Sequence, residues 1–161
     1  MAKQAKRQLA GSGETLPAGA VGEVLVNTST SQLQQASPAA GTYYGPSGIP
    51  VLTLTPGVWV ITGQCLLEAV LPSATSARIA LNLRLQNATD STTVTSIGSI
   101  FLCEQNFGGS AAIQAIVNIT SSKGYKLEYG FSMWSGATPT IANINARGDV
   151  HTSYLRAVRI A

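Results

Sequence analysis

The chain of 161 residues has the size of one domain and is long enough to fill one hydrophobic core. Apolar residues make up 45% of it and charged residues only 11%, whereas a free soluble domain carries about 25% charged residues. Ser, Thr, Asn, Gln and Gly make up the difference. A polar but weakly charged surface favours a chain that buries much of its surface in an assembly, with a neutral secreted β domain as the alternative.

The net charge of +3 belongs to the N-terminus. Lys3, Lys6 and Arg7 precede the first acid of the chain, and the remaining seven bases (10 − 3) balance the seven acids. We predict a basic, extended arm over residues 1–19, whose cations contact a partner protein; a solvated terminus is the alternative. The neutral body shows no cluster of Lys and Arg with interleaved aromatics, so nucleic acid is not an expected partner.

The first ten residues lack the apolar segment of a signal peptide, and no stretch approaches the ~20 apolar residues of a membrane span. We therefore expect a protein made in a cytoplasm, with no membrane partner. In that compartment Cys65 and Cys103 are expected to remain reduced in the core. Neither lies in a CxxC motif or near a histidine in sequence, so no zinc site is expected.

Apolar and polar residues alternate along most of the chain after residue 50, and turn-forming residues separate the alternating segments. In Ala77–Gln86, for example, Ile79, Leu81, Leu83 and Leu85 share one face. Period-2 patterns of this kind are typical of half-buried antiparallel strands. The predicted strands are Gly22–Asn27, Val51–Thr55, Val58–Val70, Ala77–Gln86, Ser96–Glu104, Ala111–Thr120, Tyr125–Met133, Thr140–Asn145 and Ser153–Ile160.

This spacing predicts an all-β, antiparallel, jelly-roll-like β-sandwich of about eight strands over residues 20–161, behind the arm. Residues 28–50 are predicted to form a long polar loop with an assembly role. Ala80, Ile116 and Gly130 are apolar or small at outward positions of their strands, which indicates coverage by the domain itself or by neighbouring subunits.

Candidate catalytic residues are few. Asp149 and the single histidine, His151, lack a nucleophile in a strained turn, and Arg147-Gly148-Asp149 is interpreted as a turn. Glu68, Glu104 and Glu128 are scattered singly, without the fixed separation that a glycosidase needs. We therefore expect no enzyme, no cofactor and no metal.

Four aromatic residues are candidates for binding a sugar by stacking. Trp59 lies in an apolar strand and is expected in the core. Tyr43, Tyr44 and Trp134 are the candidates for exposed contacts, with either a glycan or a neighbouring subunit.

The sequence VLTLTPGVWVITG (Val51–Gly63) resembles the strand–turn–strand of small bacteriophage structural proteins and fibre-tip domains, and the segment YLRAVRI (Tyr154–Ile160) resembles their closing strand. These domains are similar in build to the trimeric jelly roll of tumour necrosis factor. The resemblance, over residues 50–161, implies a homotrimer on a virus particle. Because no repetitive shaft precedes this region, we expect a capsid decoration (cement) protein bound to a major capsid or other virion protein. The alternative is a fibre tip that binds a host glycan.

Overall fold

The computed structural model describes residues 19–73, 77–102, 106–136 and 139–161. Within these ranges it contains eleven strands and no helix, and hence no helix that is long and apolar enough to span a membrane. The strands are β1 (Val24–Ser29), β2 (Gln32–Ala36), β3 (Tyr43–Tyr44), β4 (Val51–Leu54), β5 (Gly57–Val70), β6 (Arg78–Asn87), β7 (Thr92–Leu102), β8 (Asn106–Ile119), β9 (Lys123–Ser135), β10 (Asn143–Arg147) and β11 (Ser153–Arg159).

The eleven strands occupy eight positions in two antiparallel sheets. β10 and β11 lie end to end along one edge of β5, and β1 and β2 lie end to end beside them. Sheet A therefore has the order β1/β2, β10/β11, β5, β8. In sheet B, β3 and β4 lie end to end along β9, which gives the order β3/β4, β9, β6, β7.

The connections β1–β2, β3–β4 and β10–β11 join strands that lie end to end in one sheet, and β6–β7 joins two neighbours in sheet B. Every other connection crosses from one sheet to the other. Eight strands in two sheets with these crossovers form a jelly-roll sandwich, so the predicted fold class is confirmed. The Val51–Gly63 segment contains the two predicted strands, but they belong to different sheets. Its turn at Thr55-Pro56 therefore leads from one sheet to the other.

The core lies between the sheets, where the alternating residues of both meet. The Trp59 indole is fully buried, and its Nε1 donates to the carbonyl of Thr55 at 2.9 Å. This satisfies the one polar atom of the side chain, as expected for a buried tryptophan. Cys65 is a buried free thiol, and burial raises its pKa to about 11, so it stays protonated at neutral pH. The prediction for Cys65 is confirmed, while Cys103 lies outside the described residues.

The loop predicted over residues 28–50 is wrong in part. Its first residues belong to β1, and it contains β2 and β3. β2 pairs with β10, and its Leu33 carbonyl accepts a hydrogen bond from the Tyr129 hydroxyl at 2.7 Å. β2 has a single large apolar residue between glutamines, too weak an alternation for a sequence pattern to detect. Its partner strand comes from the far end of the chain.

The Gly108-Gly109-Ser110 segment lies within β8. Gly108 lies opposite Glu68, so close to the backbone of Leu67 that a Cβ atom would overlap its carbonyl. Glycine therefore serves here to let two strands approach closely rather than to reverse the chain.

We predict that Gly57→Ala destabilises the protein by about 2–3 kcal/mol, because its φ of +146° is a region that only glycine adopts easily. An added Cβ would also lie 2.7 Å from the Ala161 carbonyl oxygen. The control is Gly41→Ala. Gly41 has a φ of +77°, but no atom lies within 4 Å of an added Cβ, so the expected loss of stability is about 1 kcal/mol. Urea denaturation measures both, and equal losses would contradict the close approach at Gly57.

Candidate interaction surface

A row of aliphatic side chains crosses the outer face of sheet A. Val24, Val158, Val60 and Ile116 are direct cross-strand neighbours in β1, β11, β5 and β8. They point away from the core, because the residues on either side of each in its strand point inward. Val24 is 47% exposed and Ile116 is 67% exposed. Four aliphatic side chains in contact across a whole sheet form a continuous apolar stripe, which isolated surface aliphatics do not.

The rows beside this stripe are polar but nearly uncharged. One contains Val26, Arg156, Thr62 and Gln114, and the next contains Thr28, Tyr154, Gln64 and Ala112. Arg156 is the one ionised side chain in these three rows. Protein–protein interfaces are depleted of charge at their centre in the same way.

The far end of the same face is charged, but its charges are paired with one another. Arg147 donates to Glu68 at 3.0 Å and to Asp149 at 3.0 Å, and Asn145 donates to Glu68 at 2.9 Å. The Arg147 guanidinium lowers the pKa of the Asp149 carboxyl, and the two carboxylates raise that of Arg147. Arg147-Gly148-Asp149 is therefore a turn closed by its own ion pair, as predicted.

A groove of about 260 Å³ lies beside this network, lined in part by Leu66, Phe107 and Val150. Its polar groups, Glu68 and Arg147, are those of the ion-pair network. The groove continues the outer face of sheet A and shows no additional set of chemically reactive groups.

The outer face of sheet B is held by a compact ionic cluster. Glu128 is buried, because the segment around Gly45 folds over it. It accepts from Arg84 Nε at 2.6 Å and from Lys126 Nζ at 2.7 Å. The Arg84 guanidinium also lies over the ring of Tyr43, 4.2 Å from its centroid. Each charge in the cluster has a partner within it, so the cluster fixes the β3–β4 connection to sheet B.

The three candidate aromatics occupy three different environments. Tyr44 packs against the core and accepts a hydrogen bond at its hydroxyl from the Ala39 amide at 2.7 Å. Tyr43 is half-buried under Arg84. Trp134, at the end of β9, is 64% exposed. It is four residues along β9 from Gly130, the partner of Tyr43, and so about 13 Å away. The aromatics therefore do not converge on one platform.

The candidate acid–base residues do not form a catalytic arrangement. His151 is exposed, and its Nε2 lies 3.0 Å from the side-chain nitrogen of Gln64. Asp149 accepts hydrogen bonds from Arg147. Glu68 and Glu128 lie on the outer faces of opposite sheets, and Glu104 lies outside the described residues. Within the described part of the chain, no group of three His, Cys, Asp or Glu side chains could hold a metal ion.

The outward positions predicted to be covered divide into two kinds. Gly130 is buried by the backbone of Thr42, and Ala80 is buried as well. Only Ile116 is exposed, and it belongs to the aliphatic stripe. Sequence reasoning missed Val24, Val60 and Val158; the signal available was β5, which has aliphatic residues on both faces. Lys3, Lys6 and Arg7 lie outside the described residues.

Comparison with protein-family models and with curated proteins finds no match. Among solved structures, a chain from the structure of infectious bursal disease virus strain Gx is similar to this one. The similarity covers 84% of this chain and 32% of that chain, at 14% sequence identity and a TM-score of 0.44. The VP2 subviral particle of that virus is similar over 86% and 38%, at 13% identity and a TM-score of 0.38. Dimeric latent PorU from Porphyromonas gingivalis is similar over 89% and 13%, at 10% identity and a TM-score of 0.41. The chain thus spans less than half of each, and likeness at these scores carries no inference about function.

We predict that Arg84→Met destabilises the protein by about 2 kcal/mol, because it removes one of two cations from the buried Glu128 carboxylate. Arg78→Met, on the exposed outer side of the same strand, is the control and should change stability by less than about 0.5 kcal/mol. Thermal and urea unfolding compare the two. Similar losses in both would show that the ionic cluster does not hold the β3–β4 connection.

Proposed function

We propose that this chain is a non-enzymatic structural protein of a virus particle, of the bacteriophage decoration type, which assembles as a homotrimer and binds the capsid. The observation that carries the assembly part of the proposal is the aliphatic stripe on the outer face of sheet A, and the virion part follows from the resemblance of Val51–Gly63 and Tyr154–Ile160 to small bacteriophage structural proteins. A face with few charges and a continuous aliphatic row is built to be covered by protein. In this proposal the face packs against the surface beside the same face of the next copy, because contacts around a three-fold axis are head-to-tail.

The size of the face supports this assignment. β5 and β8 are 14 residues long, or about 48 Å, and four strands span about 19 Å. The footprint is therefore about 900 Å², the same order as the ~800 Å² that each partner contributes to a stable interface. Arg147, Glu68 and Asp149 at the far end of the face are already paired with one another. Covering them with another subunit therefore leaves no buried charge without a partner.

The anchoring of residues 19–23 supports a role of the preceding segment in clamping. The amide of Gly22 donates to the carbonyl of Arg159 at 2.8 Å, and Arg159 donates to the carbonyl of Glu23 at 2.9 Å. Residues 19–23 are thereby fixed at the end of sheet A next to Val24. The 18 residues before them can reach about 60 Å when extended, far enough to place Lys3, Lys6 and Arg7 on another virion protein.

The trimer is tested by measuring the mass in solution by light scattering and sedimentation. We expect the mass of the wild type to be three times that of Val24→Glu, because a carboxylate in the covered stripe has no partner. The control is Val51→Glu, at a position that is 42% exposed on β4 opposite Lys126. A wild-type monomer, or a trimer that Val24→Glu leaves intact, would contradict the proposed interface.

Capsid binding is tested with full-length protein and particles that lack it. We expect the combined variant Lys3→Gln, Lys6→Gln, Arg7→Gln to remain a trimer but to bind particles less tightly, by tenfold or more if each contact contributes about 0.5 kcal/mol. Unchanged binding of this variant would remove the arm from the mechanism. A wild-type trimer that ignores particles would remove the decoration function.

A second function, a fibre tip that binds a host glycan, is favoured by one observation, the 64% exposure of Trp134. An exposed indole can stack on a sugar ring. If this function holds, glycan-array binding by the wild type should be lost in Trp134→Ala and retained in Trp134→Phe. An array without signal would leave Trp134 as a surface residue.

A further inference from the structure

The charged residues of the strands are distributed in an unusual way. The strands at the edges of the two sheets, β1 to β4, β7 and β8, contain no Asp, Glu, Lys or Arg. Every charged strand residue lies in the inner strands β5, β6, β9, β10 and β11. Proteins usually place charge on edge strands to prevent pairing with other chains. Here that protection is missing where it is normally applied.

Among the edges formed by the described residues, β8 is the least protected. The β1/β2 and β3/β4 edges are interrupted, and β7 has a register irregularity opposite Leu85 and Gln86. β8 runs for 14 residues without a proline, a charge or a register shift against β5. Length, regularity and lack of charge make it the edge best suited to accept another strand.

The backbone groups that β8 presents at its open edge can be assigned. Val58 of β5 donates to the carbonyl of Ala161 at 2.7 Å and accepts from the amide of Ile160 at 2.8 Å, so both its groups face away from β8. In an antiparallel pair the hydrogen-bonded and non-bonded positions alternate. Asn118, opposite Val58, therefore points its N–H and C=O to the open edge, and so do the other even-numbered residues of β8.

We infer that the open edge of β8 pairs antiparallel with β8 of a second copy of this chain, across a two-fold axis. In two identical antiparallel strands related by a two-fold axis, residues near the axis lie opposite their own copies, so a charge there would meet a like charge. β8 has none. The side chains of Ser110 and Ala112 are small and do not hinder the approach. The contact joins sheet A of two copies into one continuous sheet with eight strand positions.

This contact is separate from the trimer interface. The trimer uses side chains on the outer face of sheet A, whereas the β8 pair uses backbone groups at its edge. The two-fold contact therefore links copies whether they are single chains or members of different trimers. In the first case it yields dimers, and in the second it yields pairs of trimers.

The test is Ala112→Pro in the full chain. Proline removes the amide of residue 112, which points to the open edge, so the pairing with β5 is kept and strand addition is blocked. The matched control is Ala112→Val, which retains the amide and places a side chain of similar size on the outer face. We expect the wild type and Ala112→Val to form a species of twice the mass of Ala112→Pro. Equal masses for all three proteins, or a loss in both variants, would overturn the inference.

Amide hydrogen exchange in the wild type provides a second readout that does not depend on how the proline variant folds. The amides of Gln114 and Ile116 have no partner in sheet A and exchange rapidly in a single copy. In the paired state they are slowed by tenfold or more, and diluting the protein restores fast exchange. Fast exchange at every concentration would overturn the β8 pair. Val24→Glu distinguishes this from failure of the trimer, because it changes the mass threefold and leaves the slow exchange of Gln114 intact.

Discussion

The length and pairing of β5 determine the structure of sheet A. β8 pairs with one edge of β5 along all its 14 residues, and β10 and β11 share the other edge. A strand paired on both edges cannot shift in register without breaking both ladders. Its inward residues, from Trp59 to Ala69, are thereby held in the core, and its outward residues are held on the opposite face. The position of Val60 on the outer face of sheet A is a consequence of this double pairing.

The break between β10 and β11 shows how the outer strands adapt to this rigid centre. Residues 148–152 loop out where β1 ends and β2 begins, and Gly148 lies against the carbonyls of Ser29 and Ser31, where a Cβ would be 2.6 and 2.5 Å away. The break also creates the turn in which Arg147 pairs with Asp149. Both charges are thus satisfied at the end of the sheet, and the centre of the outer face is left to aliphatic and neutral polar residues.

Sequence alternation predicted the inner strands well and the candidate surface poorly. β6 and β9 have large apolar residues at every second position, so their inward faces could be predicted from local sequence alone. β2 and β3 have too few apolar residues for that, and they are strands because β10 and β9 pair with them. The aliphatic stripe has the same origin: Val24, Val60, Ile116 and Val158 are distant in sequence, and only the register of four strands makes them neighbours. Tyr44 was a candidate for exposure because the sequence around it is typical of a loop. It packs against the core because β3 pairs with β9.

The location of charge connects the stripe with the open edges. For a protein that works as a single copy, an uncharged edge and an aliphatic outer face are hazards, since both promote association. Placing Arg84, Lys126 and Glu128 on inner strands gives no protection against edge pairing. The charges instead hold the chain's own loops in place, as Arg84 and Glu128 do for the β3–β4 connection. The few charges of this sequence stabilise its own loops, and the outer face of sheet A and the sheet edges are neutral. This distribution is the one expected of a subunit that functions in an assembly.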